Sequence, residues 1–227
     1  MESDVVVIVT AYNEADRLPD TLAAAREAFP GARMVVADDA SEDGSAHVAL
    51  QAGAELVRAP TTIGKGGVAT LAAERVMSAA VAPDPPVIVL CDGDLGASAG
   101  ALPALVAAVR RDECELAVGA FARRVGGGFG LALGFSRWAV RRRAGVELEA
   151  PISGQRAMRG EVLPVLVPFA RGFGMETAMN IDAARAGFRI AEIELDLEHR
   201  ATGRTLSGFV HRGRQLLDFV RVYLDRR

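Results

Sequence analysis

Apolar residues follow two alternating rhythms through the first half of the chain. Val5-Val6-Val7-Ile8-Val9 is a continuous apolar run with no polar face, the signature of a strand inside a parallel sheet. Leu18, Leu22, Ala25 and Phe29 then recur at steps of four, three and four, which sets one apolar stripe on a helix that stops before Pro30-Gly31. Met34-Val35-Val36-Ala37 predicts the second strand, residues 43–51 a helix, and Ala54-Glu55-Leu56-Val57 a short third strand. An alanine-rich helix follows Gly66-Gly67. Pro85-Pro86 halts the chain before Val87-Ile88-Val89-Leu90-Cys91, a fourth buried strand that ends at Asp92-Gly93-Asp94. This alternation predicts an α/β fold with a doubly wound, Rossmann-like, mostly parallel sheet and a ligand at the carboxyl ends of its strands.

The second half reads differently. Gly126-Gly127-Gly128-Phe129-Gly130 and Pro151-Ile152-Ser153-Gly154 break it into loops and shorter helices. Ile193, Leu195 and Leu197 alternate with Glu192, Glu194, Asp196 and Glu198, the period-two pattern of a strand with one wet face. A last helix over residues 209–227 combines Leu217, Val220 and Leu224 with Arg212, Arg214, Arg221, Arg226 and Arg227. Such a helix serves as a lid, a core element or a homodimer contact, and its composition also suits peripheral contact with a membrane surface.

Composition narrows the class. At 227 residues the chain fits one α/β domain. No stretch reaches the roughly 18 uncharged apolar residues of a transmembrane helix, and the first strand lacks a basic start and cleavage site, so the expected location is the cytoplasm. The net charge of -3 argues against a nucleic-acid partner. Two cysteines, Cys91 and Cys114, provide neither a disulfide framework nor metal-ligand spacing.

Acidic residues gather where the apolar strands end: Asn13-Glu14, Asp38-Asp39, and Asp92 with Asp94. Two carboxylates separated by a glycine suit Mg²⁺ or Mn²⁺ bridging a diphosphate. Equally, they terminate a strand and cap a helix starting near Ser98. Lys65, in Ile63-Gly64-Lys65-Gly66-Gly67, stands where glycines clear the backbone for a phosphate and the next helix offers its amino-terminal dipole. The spacing is not that of a P-loop.

Taken in order, Thr10-Ala11-Tyr12-Asn13-Glu14, Asp38-Asp39-Ala40-Ser41-Glu42-Asp43-Gly44 and Asp92-Gly93-Asp94 resemble the family 2 glycosyltransferases of the GT-A fold. The resemblance implies a single GT-A domain over 1–227, with a nucleotide-sugar half over 1–120 and an acceptor half over 121–227 that holds a small antiparallel element. It implies nucleotide-sugar contacts for Ala11, Tyr12, Glu14, Asp39, Lys65, Asp92 and Gly93, with Asp94 as a metal ligand. Pro151-Ile152-Ser153-Gly154-Gln155-Arg156-Ala157, Gly172-Phe173-Gly174-Met175-Glu176 and Glu198-His199-Arg200 are similar to glucosyl-3-phosphoglycerate synthases. That similarity implies a metal site shared by Asp94 and His199, a catalytic role for Glu176 beside Asp94, and acceptor contacts at Gly128, Ser153, Gly154 and Arg156.

The expected activity is therefore hexosyl transfer from a nucleotide diphosphate sugar to a small, anionic acceptor. A polyprenyl-phosphate acceptor is the alternative within the class, and a sugar-phosphate nucleotidyltransferase the alternative outside it. One departure bears on the acceptor. Those synthases place an arginine and a threonine after paired glycines, whereas this chain has Gly127-Gly128-Phe129-Gly130-Leu131, which offers no charge-assisted hydrogen bond. Arg137, Arg141, Arg142, Arg143 and Arg156 leave cations in the same half, either for an anionic acceptor or as a solvated face.

Overall fold

A computed structural model describes residues 4–79, 85–121, 130–196 and 217–226. The expected strands form, three with slightly longer bounds and the third shifted by one residue: β1 (Val5–Ala11), β2 (Arg33–Asp38), β3 (Glu55–Arg58) and β4 (Val87–Asp92). Between them lie α1 (Leu18–Ala28), α2 (Ser45–Gln51) and α3 (Lys65–Ala79). After β4 a 3₁₀ turn, Gly96–Ala101, leads into α4 (Pro103–Arg110). The second part of the chain then adds β5 (Leu116–Phe121), α5 (Gly130–Ala144), β6 (Arg156–Arg159), α6 (Leu163–Leu166), α7 (Met175–Arg185) and β7 (Ile190–Leu195). A last helix, α8, spans residues 217–225.

The seven strands form one sheet in the order β3-β2-β1-β4-β6-β5-β7. β1 runs parallel to both β2 and β4, and β6 is the antiparallel insert between β4 and β5. The chain thus winds outward from β1 in both directions, and β1 and β4 open the crevice at their carboxyl ends.

Why β1 is apolar throughout is now visible. Val5, Val7, Val9 and Ala11 pack with α1 and α4 on one face, while Val6 and Ile8 pack with α3, α6 and α7 on the other. The α1 stripe of Leu18, Leu22, Ala25 and Phe29 is wholly buried against the first face. On the second face α3 contributes Val68, Ala69, Ala72, Ala73 and Val76, small side chains that let the helix lie close to the sheet. Gly66 shows how close: a Cβ there would stand 1.9 Å from the carbonyl oxygen of Ala170. Packing therefore requires glycine at this position.

The second half of the chain holds one long helix, α5, where short ones were expected. α5 packs on α7 and α8 around Val140, Leu148, Ala178, Ile181 and Val222. Arg226 of α8 grips Asp182 of α7 through two hydrogen bonds of 2.6 Å, so α8 is an integrated core element. No described helix is long and apolar enough to cross a membrane.

Candidate active site

Strand register brings the motif residues together. Thr10 lies opposite Asp92 and Ala11 opposite Asp38, so the first and third motifs share one end of the sheet with the second. The Asp92-Gly93-Asp94 turn is fixed from two sides. Gly93 donates its amide to the Thr10 carbonyl at 2.8 Å, and its own carbonyl accepts the Thr21 hydroxyl at 2.8 Å. The same hydroxyl oxygen accepts the Gly96 amide at 2.7 Å. A Cβ at Gly93 would lie 3.0 Å from the Thr10 carbonyl, so the tight crossing favours glycine.

Lys65, the first residue of α3, sits at the centre. Its Nζ is 2.6 Å from Oδ1 of Asp92 and 2.7 Å from Oε1 of Glu176, which stands in the first turn of α7. Asp92 is further held by the Gln155 side-chain amide at 3.1 Å and the Thr10 hydroxyl at 3.2 Å. Burial would raise the Asp92 carboxyl, but the Lys65 ammonium and these hydrogen bonds bring it below the ordinary carboxylate range. For Lys65 burial opposes the charge, and the two carboxylates outweigh it and raise the ammonium above its usual value. The Cys91 thiol, buried beneath the turn, is pushed up by burial and by Asp92, and so is inert as a nucleophile.

Gly154 closes the back of this triad. A Cβ there would fall 2.3 Å from Oδ2 of Asp92 and 2.6 Å from Nζ of Lys65, so the backbone itself forms the wall. Arg156 explains how the wall is held. Its guanidinium donates to the Ser153 and Pro151 carbonyls at 2.9 and 3.0 Å and to Oδ1 of Asn180 at 2.7 Å. It is fully buried, and burial lowers it to about 10 despite Glu176, Glu192 and Asp92. Arg156 thus holds the 151–154 loop in place and ties it to Asn180 of α7. Ser153 is buried in that loop as well, and its hydroxyl accepts the Gln155 amide.

The remaining motif residues divide. Asp39 is buried and accepts the amides of Ile63 and Gly64 at 2.7 and 2.9 Å, which fixes the loop that delivers Lys65. Asp38 is sealed in, paired with Arg58 at 3.3 Å. Tyr12 is half exposed and the Ala11 side chain is packed in the core, so only the Ala11 backbone is presented. Glu14 and Asn13 are tied to the second motif by Ser45 and Ser41, whose hydroxyls accept their amides at 2.9 Å. Asn13 and Ala40 adopt the left-handed region, with φ of 55° and 61°, where these two loops cross.

Asp94 differs from its neighbours. It is half-buried and makes no hydrogen bond or ion pair to another described residue. A hard carboxylate without a described partner, two residues from Asp92, is the kind of donor that Mg²⁺ or Mn²⁺ accepts. No cluster of three metal-ligating side chains occurs among the described residues. His199 and Gly128 lie outside the described residues. The sequence reading missed Gln155 and Thr10 as partners of Asp92; the signal for Thr10 was its equal distance along the neighbouring strand.

A mostly parallel sheet with one antiparallel insert, acidic turns at the ends of β1, β2 and β4, and a lysine joining the third to a late helix define a GT-A glycosyltransferase. The description "Glycosyl transferase family 2" matches residues 6–178, and the chain belongs to that family. An undecaprenyl-phosphate mannosyltransferase of Micrococcus luteus is 32% identical over 217 residues, 88% of this chain and 86% of the relative. Among solved structures, glucosyl-3-phosphoglycerate synthase from Mycobacterium tuberculosis with Mg²⁺ and UDP is 25% identical at a TM-score of 0.78, covering 98% of this chain and 78% of that one. The same enzyme with Mn²⁺, UDP-glucose and phosphoglyceric acid superimposes at 0.74 with 25% identity, over 96% of this chain and 79% of the other.

Proposed function

We propose that the protein transfers a hexosyl unit from a nucleotide diphosphate sugar to a phosphate-bearing acceptor, in the presence of Mg²⁺ or Mn²⁺. The observation that carries this reading is the Lys65 ammonium shared between Asp92 and Glu176, with Asp94 nearby in sequence and unpaired among the described residues. A diphosphate entering the crevice offers Lys65 anionic oxygens in exchange for Glu176. Glu176, released near the sugar, can then orient a hydroxyl or accept its proton. Tyr12, Glu14, the Ala11 backbone and Asp39 with the loop it holds border the side where the nucleoside would lie. A divalent ion held by Asp94, with His199 as its second protein ligand, would neutralise charge on the departing diphosphate.

Two kinds of acceptor fit a phosphate-bearing requirement. The undecaprenyl-phosphate mannosyltransferase supports a lipid phosphate, and the absence of the arginine-threonine pair after Gly127-Gly128 weighs in the same direction. The superposition with the phosphoglycerate-bound synthase supports a small one.

The test is a donor screen followed by an acceptor screen. The right nucleotide sugar raises the melting temperature only with Mn²⁺ or Mg²⁺. Turnover then releases nucleoside diphosphate, and labelled hexose moves to the organic phase with polyprenyl phosphate or stays aqueous with phosphoglycerate. Release of pyrophosphate from a nucleoside triphosphate would sink the reading in favour of a nucleotidyltransferase. NMR of the product's anomeric configuration separates retention, as the similarity to the synthases implies, from inversion with Glu176 as base.

A further inference from the structure

Half of the large apolar side chains that the described residues expose lie on two helices that touch. Leu131 and Trp138 belong to α5, at 85% and 47% exposure, and Leu217 and Leu224 belong to α8, at 60% and 45%. The two helices meet through rings: Trp138 lies 4.7 Å from Tyr223, Phe135 lies 5.4 Å from Trp138, and the Arg143 guanidinium covers Tyr223 at 3.7 Å. The patch is therefore rigid. On α5 the steps from Leu131 to Trp138 and from Trp138 to Arg142 keep one side of a helix of 3.6 residues per turn, so leucine, tryptophan and arginine form a single outward stripe. Ser136, about 200° from Trp138 around the axis, faces inward and shares a 2.7 Å hydrogen bond with Thr177, the neighbour of Glu176.

Charge decides what such a stripe fits. α5 carries four arginines and no acidic residue, in a chain whose net charge is -3. Arg142 is exposed and makes no ion pair among the described residues. Arg141 pairs at 3.3 Å with Glu147, both largely exposed, a contact weak enough to be exchanged. A second copy docking α5 against α5 by a two-fold axis would set the same arginines against each other, because that stripe has no carboxylate of its own. An anionic lipid surface accepts both ends: leucine and tryptophan enter the interface while the arginines meet headgroup phosphates.

We infer that the exposed faces of α5 and α8 dock the protein on an anionic membrane surface, with Leu131 and Trp138 inserted and Arg141 and Arg142 on lipid phosphates. This goes beyond the transfer reaction and does not depend on which acceptor is used. It places the membrane against the outer side of the two helices that pack on α7, the helix that carries Glu176.

Trp138 is the single tryptophan of the chain, so its emission reports on this face alone. The protein, without donor, is titrated with vesicles of phosphatidylcholine and with vesicles containing about a third phosphatidylglycerol. The expected result is a blue shift with shielding from acrylamide on the anionic vesicles, with partition at least about tenfold above that on neutral vesicles and weakened by salt. Arg141→Glu with Arg142→Glu, and separately Leu131→Asp, lower that partition about tenfold while circular dichroism stays unchanged. Unchanged emission on anionic vesicles overturns the inference. So does a lipid-free dimer in which Trp138 is already shielded, or full vesicle binding by the charge-reversed variant. None of these results bears on nucleoside diphosphate release, so failure here is distinct from failure of the proposed reaction.

Discussion

Nζ of Lys65 and Oε1 of Glu176 lie 2.7 Å apart, each at the first turn of its own helix on the same side of the sheet. Asp92 completes the contact from β4. Because Lys65 is held above its ordinary value by two carboxylates, it remains a cation throughout the working pH range. The pair therefore opens by exchange of partners, and a diphosphate is a partner strong enough to take Lys65.

Lys65→Met should lower turnover at least about a hundredfold, as expected for loss of one charge clamp on a departing diphosphate. It should also destabilise the fold by about 1–3 kcal/mol, because Asp92 and Glu176 are left facing each other without a cation. Lys65→Arg should not rescue activity, since the Gly154 backbone closes the space behind Nζ. Steady-state kinetics and urea unfolding read the two effects separately. A Lys65→Met enzyme of near-normal turnover would remove Lys65 from the proposed machinery.

Gly154→Ala tests the wall directly. A methyl group 2.3 Å from the Asp92 carboxylate and 2.6 Å from the Lys65 ammonium must displace one of them. Activity should fall at least about a hundredfold, in line with the cost of a misplacement near 1 Å, while the melting temperature drops by only a few degrees. Gln155→Leu acts on the same carboxylate by removing its amide donor, and should cost about 1 kcal/mol with a smaller loss of rate. Equal activity in Gly154→Ala and wild type would mean that the triad tolerates rearrangement and does not set the reaction geometry.

Much of this was legible in the sequence because burial on both faces writes a continuous apolar run. β1, β2 and β4 were readable for that reason, and their acidic ends marked the crevice. β5 and β6 were not, since Leu116-Ala117-Val118-Gly119 and Arg156-Ala157-Met158 are short, and β6 begins with a buried arginine. That arginine has a role the sequence does not show, because only the fold reveals the three internal acceptors that tie it to the 151–154 loop and α7. Gly66 is similar, since the Ala170 carbonyl packed against it is distant in sequence.

The ion-pair network at the far end of β5 and β7 predicts an acid response. Hydrogen bonds from Arg189 hold the Glu115 carboxyl at about 2 against the opposing effect of burial, below its ordinary 4.5. A lowered value in the folded state means that the stabilisation is fully present above about pH 4.5 and is lost as pH falls through about 2. Glu115→Gln should therefore be less stable than wild type at pH 7 by about 1 kcal/mol, after allowance for solvent screening. Urea midpoints of the two proteins should converge as pH is lowered from 4.5 toward 2. A gap that stays constant with pH would show that packing of Glu115, and not its charge, matters.

Asp94 and Asp92 stand two residues apart and should behave in opposite ways when removed. Asp92 pairs with Lys65 and accepts bonds from Gln155 and Thr10, so Asp92→Ala leaves Lys65 with Glu176 alone and takes this acceptor from Gln155 and Thr10. That variant should lose about 2–3 kcal/mol of stability as well as activity. Asp94 engages no described residue, so Asp94→Ala should unfold within about 0.5 kcal/mol of wild type. Its turnover should nevertheless fall by about a hundredfold to a thousandfold, and the stimulation by Mn²⁺ should disappear. Thermal shift with Mn²⁺ and a nucleoside diphosphate provides the readout independent of catalysis, since wild type should gain stability that Asp94→Ala does not. If Asp94→Ala keeps the metal-dependent shift, the ion is held elsewhere and the assignment of Asp94 fails. If it loses stability without ligand, Asp94 has a structural partner and its freedom to bind metal is refuted.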